Sequence, residues 1–231
     1  MKDEFKERTL ALIGEEDMRA LENARVLVCG LGGVGGYAVE ALARAGIGGM
    51  GLLDADVVSP SNLNRQILAT VETVGMKKTE AARRRIASIN PDCRTDVYDL
   101  FYLPETAESV PLGRYDWIID AVDTVAAKVE LICRAKVQNV KIVSSMGTGN
   151  KLSADFVISD ISKTSVCPLA RVMRRLLRER GAEGVDVLWS KETPHRADTR
   201  IPSSISYVPA TAGLMLAGHV IRHILEDGKG N

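Results

Sequence analysis

Paired cysteines are missing from this sequence of 231 residues. No C-x-x-C pair occurs, which argues against a structural zinc site and against a thioredoxin-like redox pair. The cysteines lie far apart along the chain, at Cys29, Cys93, Cys133 and Cys167. Unpaired, scattered cysteines are typical of a reducing compartment, and we therefore expect a cytoplasmic protein.

Long apolar runs and an excess of charge of one sign are missing as well. The first residues, MKDEFKERTL, lack the apolar core of a signal peptide, and the longest apolar run, ATAGLMLAGHVI, is broken by His219 and Arg222. We interpret that run as a buried helix and expect no stable insertion into a membrane. The 30 basic and 30 acidic side chains cancel, so no overall field selects nucleic acid or an acidic membrane.

What the sequence does contain is an alternation of short, β-branched apolar runs with longer helical patterns. The predicted strands are RVLVCG, MGLLDAD, TDVYDL, DWIIDAVD and KIVSSMG, with helices predicted between most of them. This order predicts an α/β fold, a Rossmann-like, doubly wound and mostly parallel sheet with helices on both faces. Two later runs, DFVISD and VDVLWSKE, are predicted strands with which the C-terminal half extends the same sheet.

We expect one domain over residues 1–231. Its predicted parts are an N-terminal helical segment (1–24), a nucleotide-binding half (25–149) and a C-terminal half for substrate and dimer contacts (150–231). The C-terminal half is not expected to fold separately, because its strands continue the first sheet.

A glycine loop, GLGGVGG, follows the first predicted strand and opens the first helix of the sheet. Gly30, Gly32 and Gly35 have the G-x-G-x-x-G spacing that lets backbone N–H groups approach a phosphate at a helix N-terminus. The loop alone does not choose the nucleotide, and without context it is equally a tight strand-to-helix turn. Asp54 ends the next predicted strand, where its carboxylate can accept hydrogen bonds from a ribose, but NAD and ATP both have a ribose.

Polar side chains after the later strands favour a triphosphate. NLNRQ supplies Asn62 and Arg65, and Lys78 begins a predicted helix, so cationic groups collect where a triphosphate needs neutralising. Taken singly, a lysine or arginine is more often a solvated surface charge, and the combination carries the prediction. Asp123 ends the predicted strand DWIIDAVD and is placed to bind Mg²⁺, whereas Asp120, still inside the apolar pattern of that strand, is interpreted as a turn or capping residue.

Four separated motifs resemble the adenylating enzymes related to ubiquitin activators, the ThiF and MoeB superfamily. They are GLGGVGG, LLDADVVSPSNLNRQ, TVGMKKTEAA and DAVDT. Segments such as INPDC, SSMGTGNK and ISYVPATAGLMLAG are similar to its tRNA threonylcarbamoyladenosine dehydratase branch over residues 4–225. The resemblance implies ATP-dependent, ligase-type chemistry on tRNA. The threonyl carboxylate of the modified adenosine is adenylated and then attacked intramolecularly, with release of AMP and pyrophosphate.

The resemblance also implies roles for the motif residues. Phosphate contacts are expected from the glycine loop and from polar side chains, namely Gly30, Gly32, Gly33, Gly35, Asn62, Arg65 and Lys78. Asp54 is expected to bind the ribose and Asp123 to bind Mg²⁺. Arg8 matches an arginine that in related enzymes reaches into the partner subunit's nucleotide site, so a homodimer is expected. The residues expected to act in catalysis are thus Arg8, Arg65, Lys78 and Asp123.

Other functions stay open at this point. One alternative is an adenylyltransferase for the C-terminus of a ubiquitin-like sulfur carrier, whose relatives often carry C-x-x-C zinc motifs. An NAD-dependent oxidoreductase and a non-catalytic nucleotide-binding module are the others. A sulfur-transfer partner is also left open, although Ser203 and Ser204 stand where some family members have a cysteine. Cys167 is interpreted as a small buried hydrophobic residue.

Arginines crowd the predicted helix PLARVMRRLLRERG. Those at 171, 174, 175 and 178 share one face at i, i+3, i+4 and i+7 spacing. Such a stripe is either an ordinary solvated face or a contact for phosphates. The nearby run Arg83–Arg85 and the implied tRNA substrate favour phosphate contacts.

Overall fold

A computed structural model of the chain describes residues 4–195 and 203–228. Within them seven strands form one sheet in the order β3-β2-β1-β4-β5-β7-β6. The strands are β1 Arg25–Cys29, β2 Gly49–Leu53, β3 Arg94–Tyr98, β4 Trp117–Asp120, β5 Lys141–Ser145, β6 Phe156–Asp160 and β7 Asp186–Ser190. The helices are α1 Glu7–Asn23, α2 Gly35–Ala45, α3 Lys78–Ile89, α4 Val125–Val137, α5 Pro168–Glu179 and α6 Tyr207–Gly228.

The sheet confirms the predicted α/β architecture. Strands β3, β2, β1, β4, β5 and β7 pair in parallel, and β6 pairs antiparallel with β7 at the edge. The C-terminal half thus extends the first sheet through β7 and β6. Strands β2 and β4 are buried along their whole length, which explains why they are continuous apolar runs rather than alternating ones.

Alternate residues of each strand face two different cores. Val26 and Val28 pack on the side covered by α1, α2, α3 and α6. Leu27 and Cys29 point to the other side, where α4 covers the sheet and where α5 packs with α4 against β7. Because successive strand side chains point to opposite faces, the two cores lie on opposite sides of the sheet. Helix α3 packs in the first core and α5 in the second, so these helices cover opposite faces.

The apolar run near the end forms α6, which is long and apolar enough to cross a membrane by length and composition alone. In this structure the helix packs on α2 and α1, and half of its apolar window is buried. A Cβ at Gly213 would overlap the backbone oxygen of Val34, so the two helices touch through bare backbone. The interpretation of this run as a core helix is confirmed.

The arginine stripe on α5 needs a correction. Arg174 is half-buried and donates hydrogen bonds to the backbone and side-chain oxygens of Thr164, so it serves local packing. Arg171, Arg175 and Arg178 remain exposed on the outer face. The run Arg83–Arg85 does not adjoin them: it belongs to α3 on the opposite face, and its side chains pair with glutamates.

Candidate active site

A cleft of about 520 Å³ opens at the carboxyl edge of the sheet, where β1, β2 and β4 end. Ligands of doubly wound sheets collect at this edge because loops of neighbouring strands diverge there. The cleft brings together most of the predicted site residues, which are Gly30, Gly32, Gly33, Asp54, Asn62, Arg65, Lys78 and Asp123. Gly35 and Arg8 lie elsewhere.

Two glycines of the loop, Gly30 and Gly35, stand where the backbone leaves no room for a side chain. Gly30 has φ +86°, and a Cβ there would stand 2.6 Å from the backbone oxygen of Ala121. A Cβ at Gly35 would overlap the Gly30 oxygen, so this glycine serves the strand-to-helix turn rather than the cleft surface. At Gly32 the nearest atom to such a Cβ is 3.9 Å away, and the loop is open towards the cleft at the point where α2 begins.

Asp54 links the end of β2 to the glycine loop. Its Oδ2 accepts a hydrogen bond from the N–H of Leu31 at 2.7 Å, and its Oδ1 accepts one from the N–H of Asp56 at 2.8 Å. The carboxylate therefore faces the cleft in a fixed orientation. Each oxygen retains a second lone pair, so acceptance from a ribose hydroxyl is compatible with both backbone bonds.

Lys78 is buried at the start of α3 and meets two carboxylates. Its Nζ lies 2.8 Å from Oδ2 of Asp56 and 3.7 Å from Oδ2 of Asp54. The Asp56 side chain is 55% exposed, whereas that of Asp54 is 9% exposed. The lysine is thus held at the cleft by one fixed and one solvated partner, and it can exchange the solvated partner for a phosphate oxygen.

Asn62 and Arg65 lie on the long connection, residues 54–77, between β2 and α3. Oδ1 of Asn62 accepts a hydrogen bond from the N–H of Ser59 at 3.0 Å, so a nucleotide contact would come from its Nδ2 group. Nη1 of Arg65 donates to the Ser61 carbonyl at 3.0 Å and to Oδ1 of Asn64 at 2.8 Å. The guanidinium is half-buried and folded against its own loop.

Gln66 is a cleft residue of the NLNRQ motif to which the sequence assigned no role. It is buried, and its Oε1 has no hydrogen-bond partner within residues 4–195 and 203–228. A buried acceptor without a partner is costly, and the Nε2 of the same side chain faces the glycine loop at Gly32.

Asp123 is exposed on the loop that joins β4 to α4, and its Oδ1 accepts a hydrogen bond from Oγ1 of Thr124 at 3.3 Å. Across the described part of the chain, no group of three or more His, Cys, Asp or Glu side chains could hold a metal ion. A single carboxylate beside a phosphate site still suits Mg²⁺, which keeps several waters and takes phosphate oxygens as ligands.

Sequence reasoning missed Lys128, which is fully buried on α4 and forms an ion pair with Asp120. Asp120 is buried as well, and its Oδ1 accepts a hydrogen bond from the N–H of Val122 at 3.2 Å. The turn role predicted for Asp120 is therefore present, but it is joined to a buried ion pair. One feature of the sequence does indicate that Lys128 is buried: it stands among apolar residues of its helix.

A buried lysine, Lys151, lies in the C-terminal half outside the lining of the cleft. Nζ of Lys151 donates to the Glu192 carbonyl at 2.6 Å, and burial lowers the pKa of this amine. The neighbouring Cys167 is buried in the core between α4 and α5, as expected of a small hydrophobic residue. No cysteine among the described residues lines the cleft.

Arg8 lies on the exposed first part of α1. Gly14 interrupts that helix with φ 84° and ψ 170°, and the buried residues Asp17, Met18 and Leu21 all follow it. Leu12, in the first part, is 84% exposed. The segment that carries Arg8 therefore contributes no fully buried residue, although the partly buried Ile13 packs against the core.

Comparisons with known proteins agree with this geometry. The ThiF family model matches residues 6–231. The tRNA threonylcarbamoyladenosine dehydratase of Bacillus subtilis is 40% identical over 98% of this chain and 96% of the relative. The Escherichia coli protein of the same name is 36% identical over 83% of this chain and 76% of its own.

Solved structures resemble the whole chain. The crystal structure of the E. coli tRNA N6-threonylcarbamoyladenosine dehydratase TcdA in complex with AMP has a TM-score of 0.93 at 32% identity, over 99% of this chain and 97% of that one. Its complex with ATP has a TM-score of 0.90 at 33% identity, over 98% and 96%.

Proposed function

The chain belongs to the ThiF family, and we propose that it is an ATP-dependent tRNA threonylcarbamoyladenosine dehydratase. The main support for this proposal is that one cleft is lined by the glycine loop, by Asp54 and by two cationic side chains, Arg65 and Lys78. Hydride transfer needs no cations beyond those for a pyrophosphate, whereas nucleotidyl transfer has to neutralise a triphosphate. The similarity to structures of TcdA with ATP and AMP supports the same choice over an NAD enzyme.

The cleft fits an adenine nucleotide at three points. The open backbone at Gly32, beside the N-terminus of α2, suits phosphate because N–H groups and the helix dipole favour an anion there. The fixed carboxylate of Asp54 suits the ribose. Lys78 suits the triphosphate, since its exposed partner Asp56 can be displaced into solvent.

The proposed reaction activates a carboxylate, whose oxygen is otherwise a poor leaving group. One oxygen of the threonyl carboxylate attacks the α-phosphate of ATP, and the bond to pyrophosphate breaks. A nucleophile within the modified base then attacks the acyl carbon, closes a ring and expels AMP with loss of a proton. Arg65 and Lys78 neutralise the developing charge, and the reaction needs no covalent enzyme nucleophile.

Mg²⁺ belongs to the proposal, with Asp123 as its protein ligand. The observation behind it is an exposed carboxylate on the cleft wall, close in the fold to the glycine loop. When bound, Mg²⁺ neutralises phosphate charge and orients the oxygens. The chain's own contribution is to hold one carboxylate in place and to leave the other coordination positions to phosphate and water.

A homodimer is proposed to complete the site. Arg8 does not line the cleft of its own chain, and the segment around it exposes Leu12. An arginine supplied by a second copy would add a third cation at the triphosphate, which is the role that the family resemblance implies for Arg8.

The tRNA is proposed to lie along the exposed face of α5. Arg171, Arg175 and Arg178 point away from the core, and the phosphate backbone supplies most of the affinity in such contacts. The unpaired state of all four cysteines supports the cytoplasm as the place of the reaction.

The test is pyrophosphate release from ATP by the purified protein. Release is expected only with tRNA that carries threonylcarbamoyladenosine, and mass spectrometry of the digested tRNA should show the dehydrated nucleoside. Unmodified tRNA, a ubiquitin-like carrier protein and NAD serve as controls. Release stimulated by the carrier protein and not by tRNA would replace the proposal with carrier activation.

A further inference from the structure

A buried ionic group lies directly behind the cleft wall. Nζ of Lys128 is 2.9 Å from Oδ2 of Asp120 and 3.2 Å from Oγ of Ser144, and that hydroxyl donates to the same Oδ2 at 2.5 Å. All three residues have no exposed surface. They come from α4, β4 and β5, so the group joins a helix to the ends of two neighbouring strands.

A buried ion pair is a poor means of stabilising a fold. Moving both charges out of water costs about as much as their attraction returns, and apolar residues of similar volume usually do as well. Such pairs are best understood where they fix one conformation among several. We therefore expect the Asp120, Lys128 and Ser144 group to fix the conformation of a neighbouring segment.

The group brackets the loop of residues 121–124. Asp120 precedes this loop and binds the N–H of Val122, while the N–H of Lys128 binds the carbonyl of Thr124 at 3.0 Å. The N–H of Ala121 binds the carbonyl of Cys29 at 2.8 Å. The carboxylate of the ion pair thus holds the start of the loop, and the loop ends at the first backbone hydrogen bond of α4, which is made by the residue that carries the paired amine.

The same loop presses on the glycine loop and forms a wall of the cleft. A Cβ at Gly30 would lie 2.6 Å from the oxygen of Ala121 and 2.9 Å from the nitrogen of Val122, so the two loops touch without a gap. Every residue from 121 to 124 lines the cleft, including Asp123. A shift of this loop would move the carboxylate and the phosphate-binding backbone together.

We propose that Asp120, Lys128 and Ser144 form the positioning group of the nucleotide site, which fixes loop 121–124 against Gly30 and so sets the place of Asp123. Its effect on ATP rests on the proposed function, whereas its effect on the loop does not. Lys128 acts through Asp120 and is a positioning residue, because its own atoms are separated from the cleft by the loop.

The test compares two double variants that differ in one group. Asp120→Leu with Lys128→Met removes both charges and the acceptor for the Val122 N–H. Asp120→Asn with Lys128→Met removes the charges but keeps an amide oxygen in that place. Amide hydrogen exchange of residues 121–124 is measured without nucleotide, ATP affinity is measured by calorimetry without tRNA, and the thermal midpoint is recorded for each protein.

The Leu/Met variant is expected to exchange about tenfold faster in loop 121–124 and to bind ATP about tenfold more weakly than the Asn/Met variant. Their thermal midpoints should agree within about 5 °C, because neither interior contains an unpaired charge. Equal exchange and equal affinity in the two variants would overturn the proposal.

Ser144→Ala keeps the test decisive if a double variant does not fold. This change removes one hydroxyl and leaves the ion pair, so exchange should accelerate in loop 121–124 and stay unchanged in β2. Unchanged exchange in the loop would count against the positioning role. If the wild-type protein binds no ATP, the adenylation proposal fails, and the exchange comparison still decides what the buried group does.

Discussion

Replacing Arg175 and Arg178 by alanine should weaken the salt dependence of tRNA binding while leaving ATP binding intact. Both side chains are exposed on the outer face of α5, and neither takes part in the bonds to Thr164 that occupy Arg174. Each neutralised phosphate releases condensed counterions, so the logarithm of the affinity falls with the logarithm of the salt concentration. Removing two such contacts makes that line less steep.

The magnitude follows from the number of contacts. Each arginine on a phosphate contributes a slope of about 0.7 to 0.9, so the double variant should lose at most about 1.4 to 1.8 from the slope. Glu179 and Glu183 lie 3.8 Å and 3.2 Å from the two guanidinium groups and reduce this value. Between about 50 and 200 mM salt, the wild-type affinity should fall up to about tenfold more than that of the variant.

The assay is filter binding or fluorescence anisotropy of modified tRNA over a salt series. Arg83→Ala with Arg84→Ala is the matched control, because that variant also removes two exposed arginines but on the opposite face, where both pair with Glu80. An unchanged slope in the α5 variant, or an equal change in the control, would refute the assignment of this face to RNA.

Three further predictions concern the site and the fold. Arg65→Ala or Asp123→Ala should abolish tRNA-stimulated pyrophosphate release while circular dichroism stays unchanged, and full activity of either variant would contradict the site. Mixing Arg8→Ala subunits with Lys78→Ala subunits should restore about a quarter of wild-type activity, because half of the dimers then contain one complete site; no recovery on mixing would contradict an arginine supplied in trans. Burial raises the pKa of the Glu40 carboxyl, but hydrogen bonds from Arg85 and Arg44 outweigh burial, so the pKa lies below its usual value. These hydrogen bonds to the ionised carboxylate stabilise the fold above pH 4.5, and that contribution is lost as the pH falls through the lowered pKa. Glu40→Gln should therefore reduce the free energy of unfolding by about 1 kcal/mol at pH 7 and by less at pH 3, as measured by urea unfolding.

The strands were predictable from the sequence because a parallel sheet covered on both faces leaves a simple pattern. β1 and β4 are short apolar runs that end in a polar or glycine-rich loop, and those ends meet at one edge by topology alone. This is why residues as distant in sequence as Asp54 and Asp123 were expected in one site. Their individual roles in catalysis remain predictions.

Other features depend on contacts that no local pattern encodes. Arg174 shares its helical face with exposed arginines, and only the path of the chain at Thr164 shows that it is occupied. The separation of α3 from α5 depends on which face each helix covers, which the sequence does not state. The apolar neighbours of Lys128 indicate burial, but only the structure shows that its partner is Asp120 at the end of the adjacent strand.

The site combines fixed parts with adaptable ones, and the division follows burial. The backbone at Gly30, the carboxylate of Asp54 and the ion pair behind loop 121–124 are held by short bonds in the interior. Asp56 and Asp123 are exposed at the mouth of the cleft, and Arg65 is half-buried there with only local partners. A triphosphate arriving at this cleft would meet a rigid floor, and apart from the buried Lys78 it would reorganise only side chains that solvent already reaches. Under the proposed function, discrimination between ATP and a dinucleotide rests on Arg65 and Lys78, which would add cationic charge to a glycine loop that suits either nucleotide.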